Sequence, residues 1–399
     1  MRLFINSLAA SAGGGLTYIR NVIPRLAELP AVQATVALGP GLREEFRGFT
    51  GVDFLELEKP ASRRFWYEQT ALPGLILRSG ADVLLSAGNF ALRKSPVPQI
   101  LLSRNSIYTS ADFYRDLLSR HEYRMWLETR LQGALARKSI VWTDVTVAPS
   151  EAFAAELRRW VTLEPKQSPG AGVSGDRIRA IYHGFDGDAF QNDFSQLAPE
   201  VEEKLRGADD SLKLLFVSHY NYYRNFETLI RALPFLRDRC AGRAVKLLLT
   251  CALARGTNPG AYDPAAAADL VRKLGVSEMV IELGSIPYRQ LHRVYRRADI
   301  YVTPAYTETF AHPLVEAMAS GLPVVASDLA VHREICGDAA IYFPRFSSDD
   351  LAASVMQLVE HAGTVERMVM LGRERSKRYS WKTHVEAIVE LAGTLVARK

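Results

Sequence analysis

Residues Pro304 to Asp328, PAYTETFAHPLVEAMASGLPVVASD, constrain the fold more than any other stretch of this chain. Asp299 to Pro304 reads as a buried strand that runs out into a polar turn. A helix follows with Pro313 in its first turn, where a missing N–H costs nothing. Leu314, Val315, Ala317 and Met318 give that helix an apolar side. Gly321-Leu322-Pro323 ends it, and Val324 to Ala326 is the next strand. Glu308 in the turn and Glu316 in the first turns of the helix stand eight residues apart. Both carboxylates can therefore face the crevice at the carboxyl end of a parallel sheet, where open α/β sheets bind ligands. The helix start beside them offers free N–H groups and a positive dipole end to a phosphate.

The same alternation runs through the second half of the chain. Lys213 to Ser218, Ala244 to Thr250, Val280 to Leu283, Asp299 to Thr303, Pro323 to Ser327 and Ala339 to Phe343 are short β-rich runs. Helical patterns separate them at Phe226 to Arg237, Ala265 to Leu274, Tyr288 to Ala298 and from Pro313 onward, which predicts a doubly wound parallel sheet. The tail from Asp349 is helical, with a break at Ser380-Trp381. In the first half, strands are predicted at Arg2 to Asn6, Ala34 to Leu38, Val52 to Leu57, Val83 to Ser86, Gln99 to Ser103 and Val141 to Ala148. Ser150 has the signature of an N-cap for the helix after the last of these. Residues 112–138 carry one helical pattern, and Pro165 to Asp176 reads as a flexible loop near a domain boundary.

With 399 residues, two domains are expected, each able to bury a core. No run approaches the ~18 apolar residues of a membrane span. Three cysteines without metal-ligand spacing argue against a disulfide frame or a structural zinc, and fit a reducing cytoplasm. Asn6 and Ser7 interrupt the N-terminal apolar run too early for a signal peptide, so the start reads as a strand entering a glycine loop. A net charge of +5 suits an anionic ligand or a membrane surface without choosing between them.

The Glu308-x7-Glu316 pair, the Phe310-x-x-Pro313 step and the run from Glu316 to Val325 resemble the retaining nucleotide-sugar glycosyltransferases of family 4. That resemblance covers residues 210–345 firmly. It implies the GT-B fold: α/β, with two Rossmann-like, doubly wound parallel-sheet domains facing an interdomain cleft. It divides the chain into an acceptor-side domain at 1–185, a nucleotide-sugar-binding domain at 186–378, and a helix at 379–399 that crosses back to the first domain. By resemblance, Glu316 accepts hydrogen bonds from the donor ribose and Glu308 holds hydroxyls of the donor sugar. Amides at Thr309, Phe310, Ala311 and His312 contact sugar or phosphate. Gly284 and Ile286, in the turn after a strand, hold the nucleobase through backbone groups. Relatives carry Gly-Arg and then Lys-Asn or Lys-Gly after the first strand of this domain. Here Arg224-Asn225 matches the second part, whereas Ser218-His219 replaces the first and loses one cation.

Breaking a sugar–phosphate bond puts negative charge on the departing diphosphate, and fixed cations at that oxygen lower the barrier. Arg224 is the expected cation, with His219 a weaker helper that needs its proton. Gly13-Gly14-Gly15 after the first strand resembles the loop that family members aim at the diphosphate; it reads equally as a tight turn, and Gly14 and Gly15 are the residues concerned. Arg104, Asn105 and Tyr108 stand where relatives hold the acceptor end of the site, many with a histidine that this chain lacks. His183-Gly184 reads as a turn opening the second domain. No D-x-D or metal cluster stands out, and the resemblance implies neither metal nor other cofactor.

The expected activity is retaining transfer of a hexose from a UDP- or GDP-linked donor to a glycan or lipid-linked acceptor, in the cytoplasm or at the inner face of the membrane. Arginines interleaved with Tyr114, Tyr123, Met125 and Trp126 over 112–138 read either as a face for anionic lipid or as an ordinary amphipathic helix with a solvated side. No nucleic-acid partner is expected. Two other functions remain open: a nucleotide-sugar epimerase on the same fold, and a binding protein that has lost turnover. A glycosidase, which also uses two carboxylates, fits poorly with a helix start and a basic loop arranged for a phosphate leaving group.

Overall fold

A computed structural model of the protein describes residues 1–10, 13–58, 61–162, 177–240 and 242–398. The loop expected at Pro165 to Asp176 lies outside the described residues. Thirteen strands are formed among those residues: β1 (Arg2–Asn6), β2 (Gln33–Leu38), β3 (Val52–Glu56), β4 (Val83–Ser86), β5 (Gln99–Leu102), β6 (Val145–Ala148), β7 (Ile178–Ala180), β8 (Leu212–Phe216), β9 (Val245–Leu249), β10 (Val280–Glu282), β11 (Ile300–Thr303), β12 (Val324–Ser327) and β13 (Ala340–Phe343). They make two sheets, ordered β3-β2-β1-β4-β5-β6-β7 and β10-β9-β8-β11-β12-β13, and every pairing is parallel. Strands β4, β5, β6, β8, β11 and β12 are buried at every residue. Helices cover both faces of such sheets, which is why these strands read as continuous apolar runs instead of alternating ones.

The chain divides into two compact units. The first contains Met1–Thr109, His121–Gly184 and Ser380–Lys399, and the second contains Ser110–Arg120 and Phe185–Tyr379. In the first unit, one core joins Leu3 and Ile5 of β1, Ile19 and Val22 of helix 13–27, and Trp381, Val385, Ile388 and Leu391 of the last helix, Trp381–Ala397. Ser380 begins that helix by accepting a hydrogen bond from the Thr383 amide. Gly184 lies so close to the Trp381 backbone that only a residue without a side chain fits there.

Three local readings are corrected by the structure. The pattern over 112–138 is two helices, Ala111–Ser119 and Tyr123–Trp142, separated by a turn in which His121 takes φ +59°. The first of them belongs to the second unit and the other to the first unit. The strand expected from Val141 starts only at Val145, because the long helix runs on through Trp142. The C-terminal tail has a further break at His361, between helices Ser348–Glu360 and Ala362–Ser376. The Ser150 cap forms as read, its Oγ accepting from the Phe153 amide at 3.2 Å.

Candidate functional site

In a doubly wound sheet the strand order reverses direction at one place, and the loops leaving the two strands there part to form a crevice. In the second unit that place is between β8 and β11. The loop after β8 carries His219, Arg224 and Asn225, and the loop after β11 carries Tyr306, Glu308 and Thr309. The two loops are stitched together: the Asn225 side-chain Nδ2 donates to the Pro304 carbonyl at 3.0 Å, and the Tyr306 amide donates to the Tyr223 carbonyl at 3.1 Å. Asn225 holds φ +56°, a left-handed conformation that asparagine tolerates better than most residues, and its Oδ1 accepts from Thr228 Oγ1 at 2.9 Å. Asn225 thus secures the turn that presents its neighbour.

That neighbour, Arg224, donates through Nη1 to Glu308 Oε1. The side chains are 20% and 10% exposed, so the pair is largely withdrawn from water. Glu308 Oε2 also accepts from the Thr309 amide at 3.2 Å. Among the described residues Arg224 Nε is buried without a hydrogen-bond partner, an unsatisfied donor beside the ion pair. The Arg224 guanidinium lies 5.2 Å from the Tyr223 ring centroid. His219 is exposed beside it; desolvation of its covered side, followed by the Arg224 charge, holds its pKa below the usual histidine value. The ring is accordingly neutral at pH 7, contrary to the needs of a proton donor.

After Glu308 the chain enters helix His312–Ala319 through Ala311 at φ +62°. A non-glycine residue in that region is strained, and the strain sits where the backbone amides of Thr309 to His312 turn toward the helix start. Phe310 is buried, its ring packed against Tyr379 and His312. On the helix, Glu316 is 4% exposed. Tyr295, on helix Tyr288–Arg297, donates its hydroxyl to Glu316 Oε2 at 2.9 Å. Burial pushes the Glu316 pKa up to about 7, against the opposing effect of that hydrogen bond. Tyr295 was not legible as a site residue, since the sequence shows only a helical pattern from Tyr288 to Ala298 there.

Gly284, with φ +77°, and Ile286 follow β10. That strand is at the edge of the sheet, with β9 between it and β8, so this turn stands apart from the Arg224–Glu308 pair.

In the first unit the strand order reverses between β1 and β4. Arg104 joins the loops there: Nη1 donates to the Gly14 carbonyl at 3.0 Å and Nη2 to the Ala87 carbonyl at 2.5 Å. Its guanidinium sits 4.8 Å from the Tyr18 ring centroid. Gly15 sits close to its neighbours, since a Cβ there would come within 3.3 Å of Ala10 Cα, whereas one at Gly14 would meet nothing within 4 Å. Asn105 caps a short turn by accepting from the Ile107 amide, and the buried Tyr108 donates to Gln132 Oε1 at 3.2 Å. His183 is buried against the Tyr18 and Trp381 rings. Glu68, which no motif marked, is 6% exposed, and burial raises its pKa to about 7. Among the described residues no group of three His, Cys, Asp or Glu side chains is placed to hold a metal ion.

Comparison with known proteins is consistent with this geometry. Residues 198–375 match the model of the family described as glycosyl transferases group 1. The D-inositol 3-phosphate glycosyltransferase of Corynebacterium aurimucosum is 28% identical over 216 residues, 52% of this chain and 49% of that protein. The chain spans about half the length of the curated relatives it matches first. Among solved structures, sucrose-phosphate synthase from Thermosynechococcus elongatus superimposes with a TM-score of 0.74 at 18% identity, covering 100% of both chains. An Anabaena protein solved in complex with UDP-glucose gives 0.69 at 16% identity, covering 99% of this chain and 100% of that one. Residues 198–375 thus resemble the glycosyl transferases group 1 family, within a chain that has the GT-B fold.

Proposed function

We propose that the protein is a retaining glycosyltransferase of family 4 that takes a hexose from a UDP- or GDP-linked donor and passes it to a glycan or lipid-linked acceptor. The observation that carries this reading is the Arg224–Glu308 pair at the strand-order reversal of the second sheet. A donor diphosphate at that crevice would meet the Arg224 guanidinium, which takes up charge as the sugar–phosphate bond breaks. Glu308, released from Arg224, would then accept hydrogen bonds from hydroxyls of the donor sugar. Glu316 would accept from the ribose hydroxyls, which as donors favour its ionised form. The Anabaena neighbour solved with UDP-glucose supports a uridine donor. None of these steps calls on a metal.

A panel of nucleotide sugars screened first by thermal shift and then by donor hydrolysis tests the reading. A UDP- or GDP-sugar that stabilises the protein and is slowly hydrolysed, with the released sugar first appearing in the donor's anomeric form, supports it. Epimer formed from the donor alone would instead indicate an isomerase, and binding with no hydrolysis a protein without turnover.

A second observation favours work at a membrane surface. Helix Tyr123–Trp142 presents Tyr123, Leu127 and Leu131 at four-residue steps, 60%, 54% and 64% exposed, beside exposed Arg124, Arg130 and Lys138. Arg124 is paired with Glu128 at 2.8 Å, and Arg130 and Lys138 leave the stripe with a positive flank, which suits an anionic bilayer interface. Among the described residues no helix is long and apolar enough to cross a membrane. Sedimentation with phosphatidylglycerol vesicles at low salt, lost in Leu127→Glu/Leu131→Glu, is the expected result; no binding by the parent protein would remove this reading.

A further inference from the structure

The segment Ser110–Arg120 comes from the first half of the sequence, is flanked on both sides by residues of the first unit, and yet belongs to the second. Apart from the Asp112–Arg345 ion pair at 2.7 Å, its anchors among the described residues fall on or beside the two loops that hold Arg224 and Glu308. Phe113, fully buried, sets its ring 6.2 Å from that of Tyr223, the residue before Arg224. Asp116 accepts from the Tyr306 hydroxyl at 2.7 Å, two residues before Glu308, and from Arg120 Nε at 2.7 Å. Arg120 Nη1 pairs with Glu227 Oε1 at 2.9 Å, and its guanidinium lies 4.3 Å from the Tyr222 ring centroid. Glu227 Oε1 accepts in turn from the Tyr220 hydroxyl at 3.1 Å.

We propose that Asp116 and Arg120 are positioning residues that hold the Arg224 loop and the Glu308 turn at the separation their ion pair requires. The kinetic part of this inference rests on the transferase reading; the structural part does not. Asp116, Arg120 and Glu227 have side chains only 17%, 20% and 11% exposed. Charges so enclosed hold a fixed geometry, because removing one strands its partners. One end of the chain of contacts grips the loop after β8 through Tyr220 and Tyr222 and the start of the following helix through Glu227, and the other grips the loop after β11 through Tyr306. Loss of either grip lets the loops drift, and displacement of about 1 Å at reacting groups costs on the order of a hundredfold in rate.

The test compares Arg120→Met, Arg120→Lys and Tyr306→Phe with the parent. The first readout is the NMR titration of the His219 ring, which senses the nearby Arg224 charge whether or not the protein turns over. In Arg120→Met the His219 pKa should rise toward the value seen in Arg224→Met, and Arg120→Lys should restore most of the parent value. The second readout is donor hydrolysis, where kcat should fall about tenfold with the donor KM within about twofold, the pattern of lost transition-state placement. Tyr306→Phe removes a single hydroxyl and keeps the ring against Phe346, so it carries the test if Arg120→Met does not fold. An unmoved His219 titration with unchanged kcat in Tyr306→Phe would overturn the proposal. A parent protein with no donor turnover, but a His219 titration that shifts as described, would contradict the transferase reading and leave the positioning role supported.

Discussion

Arg224 donates to Glu308 across two loops that leave neighbouring strands of one parallel sheet. Each side chain satisfies the other's charge, and in the proposed function a ligand with its own anion and hydroxyls replaces both. Removing either partner leaves the other poorly solvated. Glu308→Ala is therefore expected to cost about 3 kcal/mol of stability, as when a largely buried pair loses one member. It should also lower transfer at least a hundredfold while nucleotide affinity stays within about threefold, if Glu308 holds the donor sugar as proposed. Chemical denaturation and steady-state kinetics on the same preparation check both.

Glu316 links stability to pH. Its folded pKa is raised to about 7, so the native state keeps a proton that the unfolded chain has already released. Stability from this group is full below the unfolded carboxyl value, falls as pH rises toward 7, and is level above it. Glu316→Gln removes that penalty and is expected to gain up to about 3 kcal/mol at pH 8 and almost nothing at pH 4.5. Thermal melts at the two pH values check the prediction. The same variant should bind nucleotide more weakly, so the position trades stability for ligand.

His219 is expected to be dispensable near neutral pH. Its lowered pKa leaves it uncharged there, with the nearby Arg224 already supplying a cation. His219→Asn should keep kcat/KM within about threefold at pH 7.5, where a histidine with a pKa under 6.5 is neutral in any case. A tenfold loss in the pH–rate profile at that pH would assign the ring a larger role.

Gly184 tests the packing of the first unit. A Cβ there would overlap the backbone N and Cα of Trp381, atoms that cannot step aside as a flexible side chain could. Gly184→Ala is expected to lose more than about 3 kcal/mol or to fail to fold, whereas Gly363→Ala, in open space on an exposed helix, should be neutral or slightly stabilising. Circular dichroism melts of the two variants make the comparison.

Much of this architecture is written locally. Buried parallel strands are short apolar runs, and Leu212–Phe216, Ile300–Thr303 and Val324–Ser327 each stand between turn signals, so both sheets were legible. The Glu308–Glu316 spacing was legible because a strand, a proline at a helix start and a Gly-x-Pro stop frame it. What the sequence hid was the choice of tertiary partner. Ala111–Ser119 and Tyr123–Trp142 share one helical period, and nothing in that period says that a turn at His121 sends them to different units. Tyr295 against Glu316 and Asp116 against Tyr306 are single polar residues on amphipathic elements, whose partners lie 21 and 190 residues away. The left-handed Ala311 was hidden for another reason: alanine disfavours that backbone, and only the surrounding packing imposes it.

Titration calorimetry of UDP and GDP into the parent protein, Glu316→Ala and Arg224→Met tests the account most directly. One of the two nucleotides should bind the parent, with affinity falling at least tenfold in each variant, about 1.4 kcal/mol or more. Equal affinity in all three proteins, or no binding of either nucleotide to the parent, would contradict it.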